Sequence, residues 1–301
     1  MTVQQVNLPK RKKSIWTISQ IILVAIILVL VSVCVLPMLN VLAISLSEKS
    51  AILRGDVGFW PVGFNLDAYR GIFRDSSMLW CMAYTIMLTL TYTVLSMVTT
   101  ILLAYPLTKK RLRGRTFFTL LVLFTMYFSG GTIPTYLTIK DYGLIDSVWS
   151  LILPALISTY NMIILRSAMA ALPEELEEAA IIDGANDFQV LLQVILPLCK
   201  ASIATISLFY AVGKWNSFSD ALYYITSRDL QPLQLRLYNI IKGATSVELS
   251  VVEGSSQDLS MRISESIESA TIIFATLPIL LVYPFVQRYF VKGVTIGAVK
   301  G

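Results

Sequence analysis

Long apolar runs, each cut off by a short polar or charged stretch, organise this chain from one end to the other. Six of them, at about 18–46, 79–107, 117–137, 148–165, 201–225 and 270–290, reach or approach twenty residues. An α-helix rises 1.5 Å per residue, so about twenty such residues cover the ~30 Å of bilayer hydrocarbon. The pattern predicts an all-α membrane protein with six transmembrane helices in one polytopic domain over 18–291. Short tails at 1–17 and 292–301 flank it, and the polar stretch at about 226–269 is expected as an extracytoplasmic loop. No soluble segment is large enough to fold alone.

Two of the runs carry polar interruptions. The third breaks at Phe128-Ser129-Gly130-Gly131-Thr132-Ile133-Pro134, flanked by Tyr127 and Tyr136, and the fifth at Gly213-Lys214-Trp215-Asn216-Ser217-Phe218-Ser219-Asp220. Non-helical backbone at membrane depth persists only where protein or a water-filled cavity covers it. Aromatic rings beside amide and carboxylate groups suit sugars, whose C–H faces stack while their hydroxyls hydrogen-bond. The competing reading is an interfacial belt of Trp and Tyr, with Lys214 snorkelling to the surface. The second run carries Thr85, Thr89, Thr91, Thr93, Ser96, Thr99 and Thr100, which read as hydroxyls bonding to their own helix or across helices.

Charge sets the orientation. Lys and Arg total 24 against 19 Asp and Glu, a net charge of +5. The cations gather in Lys10-Arg11-Lys12-Lys13, in Lys109, Lys110, Arg111, Arg113 and Arg115, and in Arg288, Lys292 and Lys300, whereas the loop between the third and fourth runs has only Lys140. Short cytoplasmic loops are the ones enriched in Lys and Arg, so both termini are expected in the cytoplasm. The same bias accounts for the net charge without a nucleic-acid partner. A basic cluster ahead of an apolar run also resembles a signal peptide. No small-residue cleavage site follows and the run is too long, so a retained signal-anchor helix is expected.

The inventory excludes several chemistries. The sequence has no His, hence no imidazole base, His metal site or Ser-His-Asp triad. It has no Gly-x-x-x-x-Gly-Lys-Ser/Thr phosphate loop and is not expected to hydrolyse ATP. Cys34, Cys81 and Cys199 are isolated in or beside apolar runs, which reads as packing.

Between the fourth and fifth runs lies Pro173-Glu174-Glu175-Leu176-Glu177-Glu178-Ala179-Ala180-Ile181-Ile182-Asp183-Gly184. Pro173 fits a first helical position, and Glu174 and Glu175 complement the positive end of the helix dipole. Leu172, Leu176, Ala179, Ala180 and Asp183 are spaced to share one side. Gly184 can take the left-handed conformation that closes a helix, and Asp187 can cap a second helix running to Leu196, before Pro197. The bland reading is a solvated loop helix. The charge bias places this helix pair, at about 173–197, in the cytoplasm.

Glu178-Ala179-Ala180, Gly184 and Val194-Ile195-Leu196-Pro197 together resemble the EAA motif of the membrane subunits of binding-protein-dependent ABC importers. Phe128–Leu137, Trp215-Asn216-Ser217, Arg228–Leu235 and Tyr289–Gly301 resemble the LplC/YtcP-type permeases of the carbohydrate-uptake branch, which are similar to the MalG subunit of the maltose system. The resemblance implies a type I importer permease (MetI-like) fold and ATP-driven alternating access for oligosaccharides, such as fragments of complex polysaccharides. It implies a second permease as heterodimer partner, two ATPase subunits that bind the ATP and Mg, and an extracellular or periplasmic solute-binding protein. No cofactor is expected on this chain. The ATPase-docking set implied is Glu174, Glu177, Glu178, Ala179, Ala180, Asp183, Gly184, Leu196 and Pro197, with 294–301 near the same interface. Tyr127, Tyr136, Trp215, Asn216 and Asp220 are the expected substrate path. The alternatives are an ABC permease for another small solute and an ion-coupled secondary transporter.

Overall fold

A computed structural model describes residues 18–251 and 265–284. The expected tails and residues 252–264 of the long loop lie outside the described residues. Helix α1, Ile18–Ser45, stands away from the rest and buries only its end, at Ala43 and Ser45. Two short helices follow, α2 (Lys49–Arg54) and α3 (Asp67–Arg74). Asp75 then accepts from the Ser77 amide at 2.9 Å and caps α4, Ser76–Ala104.

Helix α4 is the spine of the fold. Cys81, Thr85, Leu88, Tyr92, Ser96, Thr100 and Ala104 lie on its buried side at three- and four-residue spacing, while Leu90, Val94, Val98 and Leu102 form an exposed apolar stripe opposite. Such a helix turns its hydroxyls inward and its aliphatics to lipid, the reverse of a soluble helix. Four of the threonines bond in the two ways expected of them, while the buried Thr89 and Ser96 hydroxyls have no hydrogen-bond partner among the described residues. Thr93 and Thr99 bond to carbonyls of their own helix, whereas the Thr85 hydroxyl accepts the Leu233 amide at 2.8 Å and Thr100 meets the Tyr210 hydroxyl at 2.7 Å.

The third run is α5 (Arg115–Tyr127) and α6 (Thr132–Asp141), bent by 111° at a break over 128–131, shorter than the expected 128–134 because Thr132, Ile133 and Pro134 already form the first turn of α6. Gly131 takes φ +87°, a left-handed value that glycine reaches at no steric cost. The fourth run, expected as one unbroken span, is also broken: α7 (Val148–Ile152) passes through a tight turn at Leu153–Ala155 to α8 (Thr159–Ala170), with a 52° bend. Pro154 removes a helical donor there, and Ser158 starts the next helix by accepting the Asn161 amide.

Next come α9 (Glu174–Ile182) and α10 (Asp187–Val190), a π-helical turn at Leu191–Ile195, α11 (Leu196–Leu198) and α12 (Lys200–Asn216), which leaves at 84° to the segment before it. The cap of α10 is Asn186 and not Asp187: its side chain accepts the Gln189 amide while Gln189 reaches back to the Asn186 amide, a reciprocal pair that Asp187 is one residue too late to make. The break of the fifth run begins at Ser217, so Gly213, Lys214, Trp215 and Asn216 are still helical. A short α13 (Ser219–Tyr224) follows it. The stretch expected as a long loop contains α14, Leu233–Val251, which packs on α4. Helix α15 is Glu265–Pro284.

Among the described residues, three helices (α1, α4 with its short extension, and α15) are long and apolar enough to cross a membrane, and six spans result if each bent pair counts as one. The main core lies where α4, α8 and α12 meet, around Tyr92, Leu151, Met162, Leu165, Ile195 and Ile206. A smaller one, with Met78, Cys81, Trp215, Leu233 and Phe274, joins the ends of α4, α12 and α14 to α15.

Candidate coupling helix and translocation groove

Helix α9 ends as its sequence predicts. Gly184 sits at φ +87°, its amide donates to Ile181 O, and the Ala185 amide reaches Ala180 O, both at 3.0 Å. This double closure is the Schellman arrangement, and it turns the chain sharply into α10. The small-residue stripe, however, is divided between two faces. Leu172 and Ala180 pack toward the core and Glu177 is half-buried, whereas Leu176, Glu178, Ala179 and Asp183 are exposed, as is Ile182 at 85 %. Leu196 packs on the core and Pro197 is exposed. The outer face of α9 therefore presents Glu178, Ala179 and Ile182 together.

A basic bracket holds α9 and α10 from the loop after α4. Lys109 donates to Glu177, Lys110 lies 2.6 Å from Glu174, and Arg111 donates to Asp187. The Asp187 carboxylate beside it raises the Arg111 guanidinium above its ordinary value. Arg166 adds a bond to Leu107 O at 3.1 Å. The cations at 109–111 thus tie down the helix pair; their partners are far away in sequence, and no local spacing marks them.

The breaks in the third, fourth and fifth runs converge on one open groove of about 380 Å³, lined by residues that include Thr132, Thr135, Ser150, Ser219, Asp220 and Tyr224. Behind it, the Lys214 ammonium donates to Leu151 O at 2.5 Å and to Asp220 Oδ2 at 2.7 Å, and Ser217 donates to the other Asp220 oxygen. This ties the broken fourth and fifth runs together. Lys214 does not snorkel: its side chain is 5 % exposed, because two acceptors satisfy it inside. The Tyr210 hydroxyl adds a second tie, accepting the Ser158 amide at 3.1 Å while bonded to Thr100.

Of the five expected path residues, Asp220 alone lines this groove. Tyr136 stands behind it, stacked on Tyr224 with ring centroids 6.3 Å apart. Tyr127 is 77 % exposed at the end of α5. Trp215 is not an open platform for a sugar: it is 6 % exposed in the smaller core and its indole donates to Ala275 O at 3.2 Å. Asn216 is exposed, but its amide donates back to Val212 O at 2.9 Å. Helix α12 continues through both residues, so their directions follow helical geometry and not that of a loop. Ser150 and Tyr224 carry no mark in the sequence that places them at the groove; Pro154 is the one legible sign that the fourth run also breaks.

A six-span helical bundle with broken inner spans and a polar helix pair on one side defines a polytopic transport component. Known proteins agree. Residues 112–296 match the family model described as "Binding-protein-dependent transport system inner membrane component". The chain is 41 % identical to Protein LplC of Bacillus subtilis over 90 % of both chains. It is 40 % identical to the polygalacturonan/rhamnogalacturonan transport system permease protein YtcP of the same organism, over 89 % of this chain and 93 % of that one. A bacterial ABC transporter involved in the import of the acidic polysaccharide alginate contains a chain with a TM-score of 0.81 and 30 % identity, covering 91 % of this chain and 96 % of that one. The chain belongs to the binding-protein-dependent inner-membrane components. It is a multi-pass carbohydrate-type permease of an ABC transporter and not its ATPase, and no cofactor is expected on it.

Proposed function

We propose that this permease carries oligosaccharide fragments of complex polysaccharides across the membrane by alternating access, paired with a second, different permease. Two ATPase subunits would bind ATP and Mg on the cytoplasmic side, and a solute-binding protein would deliver the sugar from outside. Both termini then lie in the cytoplasm and α14 lies outside. The observation that carries this reading is the pairing of a cytoplasmic-type helix, α9, held by the 109–111 bracket, with a hydroxyl-rich groove at the convergent span breaks. The sugar-transport names of YtcP and of the alginate importer support the substrate class.

The mechanism follows from that pairing. Glu178, Ala179 and Ile182 form the outer face that docks into an ATPase, with Gly184 fixing the turn beneath it. When ATP closes the ATPase dimer, α9 moves, and the bracket passes the movement to the end of α4, whose other end borders the outer loops. Uptake of a panel of labelled oligosaccharides by cells with and without this chain tests the reading. Uptake of amino acids or phosphate, and of no oligosaccharide, would overturn it. Exposed Asp56→Cys should react with an impermeant thiol reagent from outside and Glu175→Cys should not; the reverse would overturn the orientation.

A further inference from the structure

The end of α4, the loop after it and the start of α10 border a second open pocket of about 430 Å³, which shares no lining residue with the groove. One side of its lining is apolar, with Leu102, Pro106, Leu112 and Phe188, and the other is charged, with Lys109, Arg111, Arg113 and Asp187. These charges do not cancel. Lys109 is bound to Glu177 and Arg111 to Asp187, whereas the Arg113 side chain has no ion pair or hydrogen bond among the described residues. Arg115, two residues on, likewise has no carboxylate partner among them. Helix α5 begins at Arg115 with no acidic residue in its first turn and no side-chain cap from Gly114, so its positive end adds to the same excess.

The apolar side continues a surface that already faces lipid. Leu102, 53 % exposed, ends the α4 stripe that starts at Leu90, and Phe117 and Phe118 stand exposed in the first turn of α5. A fitting ligand is therefore apolar along α4 and anionic at its head, as a phospholipid is. A free phosphate would leave the apolar lining uncovered. A zwitterionic headgroup brings an ammonium, yet the one carboxylate in the lining, Asp187, is already held by Arg111. A headgroup of net negative charge gains the charge-assisted bonds of arginine to phosphate without that mismatch. In the proposed orientation, on which the choice of leaflet rests, the pocket lies at the cytoplasmic face, where basic pockets between helices collect anionic lipid. We propose that this pocket binds an anionic phospholipid of the phosphatidylglycerol class, its phosphate at Arg113 and an acyl chain along the α4 stripe. The bound lipid then sits against the Arg111–Asp187 pair that anchors α10, next to the coupling helix.

The test uses the complete importer, reconstituted in phosphatidylcholine nanodiscs that contain a minor share of phosphatidylglycerol, then released into detergent for native mass spectrometry. Wild type should retain phosphatidylglycerol several-fold above its share in the nanodisc. Arg113→Gln should carry one phosphatidylglycerol fewer per complex, and Arg113→Lys, which keeps the charge, should hold it. Phe188→Glu adds a carboxylate to the lining and leaves every cation in place; it should lose the lipid too, and it replaces Arg113→Gln if that variant assembles poorly. Equal retention in wild type and both charge-altering variants overturns the site. Equal loss of phosphatidylcholine and phosphatidylglycerol overturns the anionic class, and displacement of the lipid by inorganic phosphate assigns the pocket to a free anion instead. Labelling of Arg113→Cys by an impermeant thiol reagent from outside overturns the leaflet and the orientation together. Failure on lipid retention alone leaves the oligosaccharide reading standing.

Discussion

Lys109 donates to the carboxylate of Glu177 from 68 residues away, and the two side chains are only 14 % and 26 % exposed. The ammonium also lies 4.1 Å from the centre of the Tyr105 ring. The neighbouring pair, Lys110 with Glu174, is 75 % and 67 % exposed. Solvent screens the second pair and not the first, so their energies should differ although their formal chemistry is the same. Glu177→Gln should destabilise the complex by roughly 1.5–3 kcal/mol, the usual range for a hydrogen bond to a charged group, and lower transport-coupled ATPase activity. Lys110→Gln should change stability by less than about 1 kcal/mol. Thermal unfolding of the purified complex measures both, and equal losses would remove the special place of the Lys109 pair.

Gly184 isolates a backbone effect. Its φ of +87° is strained for any residue with a Cβ, yet a Cβ built there meets nothing within 4 Å. The cost of Gly184→Ala is therefore conformational, about 1–2 kcal/mol, with Gly184→Asn milder because Asn tolerates the left-handed region. Stimulated ATPase activity should fall in the order Gly, Asn, Ala, while sugar affinity of the isolated binding protein stays the same. Normal transport by Gly184→Val would count directly against α9 as the docking helix.

The Lys214–Asp220 pair should behave as a buried pair does. Removing the cation alone strands a carboxylate inside the bundle, and Lys214→Met should cost roughly 3–5 kcal/mol. Replacing both, in Lys214→Met with Asp220→Leu, should recover much of that loss, because no unpaired charge remains. Membrane-inserted protein and its melting temperature report the difference. A double variant as unstable as the single one would show that the bond to Leu151 O, and not the charge pairing, holds the breaks together.

Asp146 gives a pH dependence. It sits at φ +60° after α6, its amide donates to Tyr224 O at 2.8 Å, and its carboxylate accepts from the Ser227 hydroxyl and from the Ser227 and Thr226 amides. Those bonds, the Ser227 hydroxyl foremost, hold its pKa below the ordinary carboxylate value. A depressed folded pKa contributes stability that is complete above the unfolded value, about 3.9, and is lost as the pH falls through the folded one. Limited proteolysis near residue 226 should accelerate on acidification below about pH 4 in the wild type, and less so in Asp146→Asn. Identical pH profiles in the two proteins would discard this tether.

The six apolar runs, the break after Tyr127, the helix from Glu174 and its closure at Gly184 are legible in the residue order. Each depends on local chemistry, namely hydrocarbon length, a left-handed φ or a first-turn carboxylate, which is written in consecutive residues. The capping residue of α10 and the extent of α12 through Trp215 and Asn216 were also local, but they turned on one or two positions where neighbouring signals competed. Packing across the bundle, and nothing local, joins the bend at Pro154 to the other two breaks in one groove. It alone turned Lys214 inward and buried Trp215 against Ala275. It also set the cations at 109–111 against carboxylates more than sixty residues away. Those outcomes depend on which faces meet across the bundle, and hydropathy carries no record of that inside a membrane, where buried and lipid-facing surfaces are alike apolar.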